Sequence, residues 1–405
     1  MSRCHVAVGV LARATLAGLI CLAGVPAAAK TTEFGAVPLV GGDSDNGFGF
    51  GGIASVAAPD PQRPPYRWSL EAGGFITFDT RDDRPASPYQ DLYLRWVAPR
   101  LGGGRLWAEA RGSWTRENAL DYYGIGNASV RPADSDSDRD AYARRHPEVY
   151  LRVRLRLWGP WALALGQTFA HNGLAIPSRS FVARDLRAPP EGFAAAFRTV
   201  GDHGVARSEG GVVFDTRDTE LSPTKGQFHV LRARVSPRLG EALPYGYQQL
   251  NLTLRGYRAL GAPTRVLAGR LVGDVLFGDA PFYELTRFDD TNAVGGPKGV
   301  RGVPAQRFYG KVKLFSNLEL RALLLRFRLA GKAFSLGSVT FFDVGRVWSD
   351  LSPSRALDGT GLGLHYGLGA GLRLTQGSTF VVRADLAWSP DARPLGAYVS
   401  AGQVF

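Results

Sequence analysis

Five histidines, His146, His171, His203, His229 and His365, are the residues beyond the first thirty best suited to hold a metal or pass a proton, and none stand at metal-ligand spacing. No Gly-x-Ser-x-Gly elbow accompanies them, and both cysteines, Cys4 and Cys21, lie near the start. The chain is therefore read as a non-enzyme without catalytic, cofactor or metal sites. What remains is ionic chemistry. Between Lys311 and Leu323, the residues Lys311, Lys313, Asn317, Glu319 and Arg321 alternate with Val312, Leu314, Leu318, Leu320 and Ala322. Between Val149 and Trp158, Arg152, Arg154 and Arg156 alternate with Leu151, Val153, Leu155 and Leu157. Guanidinium and carboxylate groups carried this way can pair across a confined, wet face.

Such residues need two-sided β-ribbons to position them. Counting back from the end, the pattern predicts strands at Ala397–Phe405, Phe380–Trp388, Leu364–Leu374, Phe334–Val347, Lys311–Leu323, Arg265–Leu276, Tyr247–Leu260 and Phe228–Ser236. It continues with Arg207–Phe214, Trp161–Phe169, Val149–Trp158, Leu106–Thr115, Asp91–Val97, Arg67–Phe78 and Phe48–Val56, and a short first strand near Ala36–Gly41 makes sixteen. An even number suits a single-chain bacterial membrane barrel. Alternation alone fits a soluble sandwich equally well.

Connection lengths separate the two. Gly159–Pro160, Gly261–Thr264 and Thr375–Thr379 are tight, whereas Glu117–Glu148, Asn172–Ala206 and Phe277–Gly310 are long. Long loops on one rim and short turns on the other point to an all-β transmembrane antiparallel barrel of sixteen strands, without a soluble domain and with both ends periplasmic. Trp68, Trp96, Trp114, Trp158, Trp348 and Trp388 near strand ends supply candidate interfacial girdles. No segment beyond the start approaches the roughly 18 apolar residues of a spanning helix. With 51 glycines in 405 residues and methionine only at the first position, composition favours curved sheet over a helical core.

Residues 1–29 read as a signal peptide: Arg3, an apolar run from Val6 to Leu22 broken by Arg13, and the small exit Ala27, Ala28 and Ala29. Ile20 disfavours lipid attachment at Cys21. Cleavage leaves residues 30–405 as the barrel, thiol-free in an oxidising compartment. Removal of Arg3 and Arg13 takes the 48 basic residues to 46 against 36 acidic ones. Because many arginines sit on the strands themselves, they read as a lumen lining and not as a nucleic-acid patch.

FDTRD occurs twice, at Phe78–Asp82 and Phe214–Asp218, each closing a strand. The strand count places the copies on opposite rims, which means either independent reuse or a slipped count. The second copy continues to Gly226, where Asp215, Arg217 and Asp218 can bond the turn backbone, Pro223 sets one dihedral and Gly226 admits a positive one. DTRDTELSPTKG, GGPKGVRGVPAQRFYG, SNLELR and FFDVGRVW, in that order from Asp215 to Trp348, resemble the motifs of the bacterial surface antigen barrels. That superfamily includes the core subunits of the Bam and Tam outer-membrane assembly machines (BamA and TamA) and the two-partner secretion transporters. The glycine-rich Gly361–Arg373 and Phe405 extend the likeness over residues 215–405, and DYYGIGN is all that the N-terminal half adds.

The resemblance implies that Arg301 enters the lumen on an inward loop, that Glu319 and Asp343 hold it, and that Gly302 and Gly345 allow close backbone approach. Where the family carries an aromatic after the Arg-Gly pair, this chain has Val303, with Phe308 and Tyr309 as candidate substitutes. Phe405 corresponds to a C-terminal signal read by the outer-membrane assembly machinery. The family's periplasmic POTRA modules find no room before the first strand, so client capture would need a separate periplasmic partner. The implied function is assembly or translocation in outer-membrane lipid, moving a polypeptide or lipid client through a weak seam between first and last strands, near Val40, Val399 and Gly402. The alternatives are a passive anion-favouring channel, which the arginines would suit, or a structural outer-membrane barrel, and a soluble secreted β-protein.

Overall fold

The computed structural model describes residues 32–405 except 61–65, 82–83, 133–135, 199–200, 221, 288–293, 330, 377–379 and 392–394. The expected leader lies outside the described residues. Sixteen strands form one closed antiparallel wall in chain order. They are β1 (Glu33–Asp43), β2 (Gly47–Pro59), β3 (Tyr66–Arg81), β4 (Tyr89–Leu101), β5 (Leu106–Asp121), β6 (Ala141–Arg156), β7 (Trp161–Ala175) and β8 (His203–Asp215). The second half is β9 (Gly226–Ser236), β10 (Tyr247–Leu260), β11 (Ala262–Gly278), β12 (Val312–Leu329), β13 (Lys332–Trp348), β14 (His365–Gln376), β15 (Phe380–Trp388) and β16 (Gly396–Ala401). A three-residue strand, Arg84–Ala86, folds back on the end of β3 and adds nothing to the wall.

The wall is inside-out. On β12, Leu314, Leu318 and Leu320 are 42%, 48% and 45% exposed, while Lys313, Asn317 and Glu319 are buried. The aliphatic side of each ribbon faces outward and the ionic side faces the lumen, as hydrocarbon outside and a polar interior demand. Of the six tryptophans at expected girdle positions, Trp68, Trp96, Trp114, Trp348 and Trp388 lie on the outward side of their strands, and Trp158 stands in the turn after β6. Of these, Trp158 is the most exposed.

Connections 122–140, 176–202, 279–311 and 349–364 share one rim; the other carries 102–105, 157–160, Gly261 and 330–331. The FDTRD copies do fall on opposite rims, one ending β3 and the other ending β8, so the motif is used twice independently. The expected Gly261–Thr264 turn contracts to Gly261, because β11 begins at Ala262.

Several strands outrun their patterns. β5 continues to Asp121 instead of Thr115, β6 starts at Ala141 instead of Val149, and β7 ends at Ala175 instead of Phe169. The ladder persists there through Asp121–Ala141 and Ala143–Ala175. Apolar alternation ends with the hydrocarbon, whereas backbone pairing needs only a neighbouring strand.

These extensions carry an apolar dome over the long-loop mouth. Tyr122, Phe197, Phe282 and Tyr309 are buried together, with the Phe197 and Phe282 rings stacked at 5.4 Å and the Tyr122 and Tyr309 rings edge to face at 4.9 Å. DYYGIGN forms one side of it, where the Asn127 side chain donates to the Gly363 carbonyl at 2.8 Å and accepts from the Val347 amide. Phe282→Ala should remove about 3–5 kcal/mol of this packing. The expected readout is faster protease nicking of the 279–311 loop with the barrel's compact gel mobility retained.

Candidate functional site

Residues 294–311 turn from the long-loop rim into the lumen. Val294, Val300, Val303 and Phe308 pack against Val272, Phe315 and Val347 of the inner wall. That apolar footing aims Arg301 at three strands. Its Nε and Nη2 donate to the two carboxylate oxygens of Asp343 at 2.7 and 3.0 Å, and its backbone amide adds a third bond to Asp343 at 3.1 Å. Nη1 donates to Glu319 at 2.7 Å and reaches Asp385 at 3.4 Å. The guanidinium also lies over the Phe341 ring, 3.5 Å from its centroid.

All four charged groups are fully buried. A desolvated guanidinium is tolerated only with matched carboxylates and satisfied donors, which this fork provides. Gly302 sits at φ +93°, and a side chain at Gly345 would press on Phe315 and Val300. Gly367 of β14 is a further requirement, because a Cβ there would overlap the Arg301 carbonyl oxygen. Val303 is buried where an aromatic was expected, and Phe308 fills the same cluster while its ring lies 3.7 Å from that of His365. Tyr309 belongs instead to the dome.

The wall closes where β16 meets β1, and the closure is short. Gly42 pairs with Val399, Asp43 with Tyr398, and the Ser44 amide donates to the Ala397 carbonyl at 3.0 Å. Among the described residues, Glu33 to Gly41 have no strand partner on that side. By contrast, the β12–β13 ladder runs from Val312–Trp348 to Leu329–Lys332. The inward loop touches both sides of this closure. Gly302 donates its amide to the Tyr398 hydroxyl of β16 at 2.9 Å, and Ala305 donates to the Asp45 carboxylate, in the β1–β2 turn, at 3.0 Å.

A family profile described as the Omp85 superfamily domain matches residues 69–405. The chain belongs to the Omp85 superfamily. Omp85 barrels are outer-membrane transport and assembly proteins, not enzymes. Among solved structures, the fold matches BamA from Haemophilus ducreyi lacking POTRA domains 1–3, at TM-score 0.59 and 13% identity over 92% of this chain and 70% of that one. It also matches CdiB from Escherichia coli, at TM-score 0.57 and 12% identity over 93% of this chain and 64% of that one. A comparison with curated proteins finds no match.

In this Omp85 barrel Arg301, Glu319 and Asp343 lie together in the lumen, whereas the turn motif stands apart from them on the short-turn rim. Arg217 forks onto Asp215 at 2.9 and 2.8 Å, and Asp218 accepts from the Thr224 amide and hydroxyl at 2.9 and 2.5 Å. Pro223 is buried and Gly226 takes φ +102°. These bonds make a rigid hairpin.

The last strand departs from expectation. β16 ends at Ala401 instead of running to Phe405; Gly402, at φ +83°, turns the chain inward. Val404 and Phe405 are buried against Tyr257, Val266 and Ala268 on the lumen wall. The sequence reading also missed Asp385, Arg373 and Arg383. Arg373 donates to Asp385 at 2.5 Å, and Arg383 donates to the Pro297 carbonyl at 3.0 Å. The only signal for Arg383 and Asp385 was polar alternation in FVVRADLAW, and for Arg373 its place on the glycine-rich strand before it; both mark a lumen face without naming a partner.

Arg301→Ala would leave the Asp343 carboxylate buried without its cation, while Glu319 and Asp385 keep Arg321 and Arg373, and breaking such a pair costs about 3–5 kcal/mol. Arg301→Ala and Asp343→Asn should each lower the temperature at which compact gel mobility is lost; unchanged values in both would remove the clamp from the account.

Burial, with Asp43 adding to it, pushes the Asp45 carboxyl up to about 8, against the lowering effect of the Ala305 amide. The folded turn thus keeps a proton that the unfolded chain has released, so its stability falls as pH rises up to that value. From about pH 5 to 8 the unfolding temperature should drop in the parent and stay flatter in Asp45→Asn, with the two curves running parallel above about pH 8.

Proposed function

We propose that this Omp85 barrel inserts or passes a polypeptide or lipid client through the β1–β16 seam, with the Arg301 loop bracing the lumen. The observation that carries the reading is the short closure. Every backbone group facing hydrocarbon without a partner costs several kcal/mol, so an edge left open from Glu33 to Gly41 is prone to accept another strand. Little pairing need be broken to widen it. The loop's bonds to Tyr398 and Asp45 support a braced resting state in which lumen and seam move together.

Residues 1–29 act as the export leader in this reading, and a separate periplasmic partner delivers the client. The apolar dome over the long-loop mouth weighs against steady ion flow, although Arg152 and Arg234, which flank Glu209 in the lumen, would favour anions if a path opened.

A reversible lock tests the seam. Ser44→Cys with Ala397→Cys places thiols on residues whose backbones already bond across the closure. In liposomes, the oxidised variant should lose accelerated insertion of a second barrel and regain it on reduction. Equal activity in both redox states, or steady anion conductance without any effect on a client, would overturn the proposal.

A further inference from the structure

At the long-loop end of the wall a polar row crosses the outer face. Gln90 of β4 pairs with Arg116 of β5, Arg116 with Arg145 of β6, and Arg145 with Gly173 of β7. The alternate residues Glu117, His146 and Asn172 are buried in the lumen, where Glu117 bonds His146 and Asn172 bonds Arg144. Arg116 and Arg145 therefore project outward, and both are exposed. One row further down, the outward residues are Leu92, Trp114 and Pro147, and below these come Leu94, Val149 and Phe169. The polar row thus stands where the hydrocarbon band gives way to headgroups.

Its charges are unbalanced. Two arginines directly opposite one another on adjacent strands repel. Arg116 has no carboxylate partner among the described residues; its Nε donates to the Asn118 side chain at 2.8 Å. Arg145 and His171 share one carboxylate, that of Asp202, at 3.7 and 3.6 Å, and Asp202 is 59% exposed. Gly173 leaves the surface bare beneath this group, because a Cβ there would press on both Asp202 and Arg145. Inside the lumen the pattern differs: Arg152 and Arg234 meet Glu209 at 2.9 and 2.8 Å. The chain supplies close acids to those cations and leaves an excess of positive charge on its lipid-facing side.

We infer that Arg116 and Arg145 form a clamp for the phosphate of a lipid headgroup in the leaflet at the long-loop rim. Long loops of outer-membrane barrels face outward from the cell, and the leaflet on that side is built from lipopolysaccharide, whose lipid A anchor carries phosphates. Two guanidinium forks match the oxygens of one phosphate, and its negative charge removes the repulsion that Asp202 is too distant to cancel. Acyl chains then run down the wall over Leu92, Val149 and Phe169, with Trp114 at the boundary. The site does not depend on the seam reading. It lies on β4 to β7, away from the β1–β16 closure, so lipid held there leaves the seam free.

The experiment titrates the full-length barrel in detergent with lipid A bearing its phosphates and with the same lipid stripped of them, and counts bound lipid by native mass spectrometry. The parent should bind the phosphorylated form about tenfold more tightly. Arg116→Gln with Arg145→Gln should abolish that preference. Arg179→Gln with Arg187→Gln, which removes two exposed charges from the 176–202 loop at the same rim, should keep it. Phosphorylated lipid A should also raise the temperature at which compact gel mobility is lost in the parent and not in the Arg116 and Arg145 double variant. An unchanged preference in a double variant that stays compact, or equal binding of the two lipids by the parent, would overturn the inference. So would displacement of the lipid by inorganic phosphate at comparable concentration, which would make the pair a free-anion site. Because lipid binding is read directly, none of these outcomes bears on the seam lock.

Discussion

A single buried guanidinium organises this barrel. Arg301 arrives on a loop, yet the carboxylates that neutralise it belong to β12, β13 and β15. In a site without solvent none of these charges is stable alone, so the loop is held in the lumen and the strands are held to the loop. Glycines at 302, 345 and 367 follow from the same demand, because the backbone must approach the wall closely enough for the fork to reach. The apolar footing of Val294, Val300, Val303 and Phe308 sets the angle of entry.

From that anchor the network reaches the weakest part of the wall. Gly302 bonds β16 and Ala305 bonds the turn after β1, so the loop bridges a closure that has little pairing of its own. Glu319 also holds Arg321, which reaches Phe405 at the far end of the same last strand. Both ends of β16 are therefore referred to one clamp. A wall in lipid needs closure and the proposed seam needs to open; these are opposing demands, and contacts from inside the lumen bridge the closure without lengthening the β1–β16 ladder.

Much of this was legible beforehand. Arg301, Glu319 and Asp343 were assigned from the motifs that carry them, and the strands were placed by alternation. The misses share a cause. Asp385 lies 84 positions from Arg301 and joins it only because β15 stands beside the clamp in the closed ring. Phe405 continued the terminal pattern as though still in the sheet, and nothing local announced that Gly402 would send it across the lumen. The dome residues sit in stretches that read as loops, where Phe282 and Tyr309 look exposed until three connections converge over one mouth.

A two-residue period states which side of a ribbon meets hydrocarbon and which side holds charge, and that local fact determined the inside-out shell, the sixteen ribbons and the two unequal rims. Which charges meet, how briefly the first and last strands touch, and where the tail lodges were decided only by closing the ring. Closure sets neighbours by register and curvature, and these are relations between distant segments that no short stretch of chain encodes.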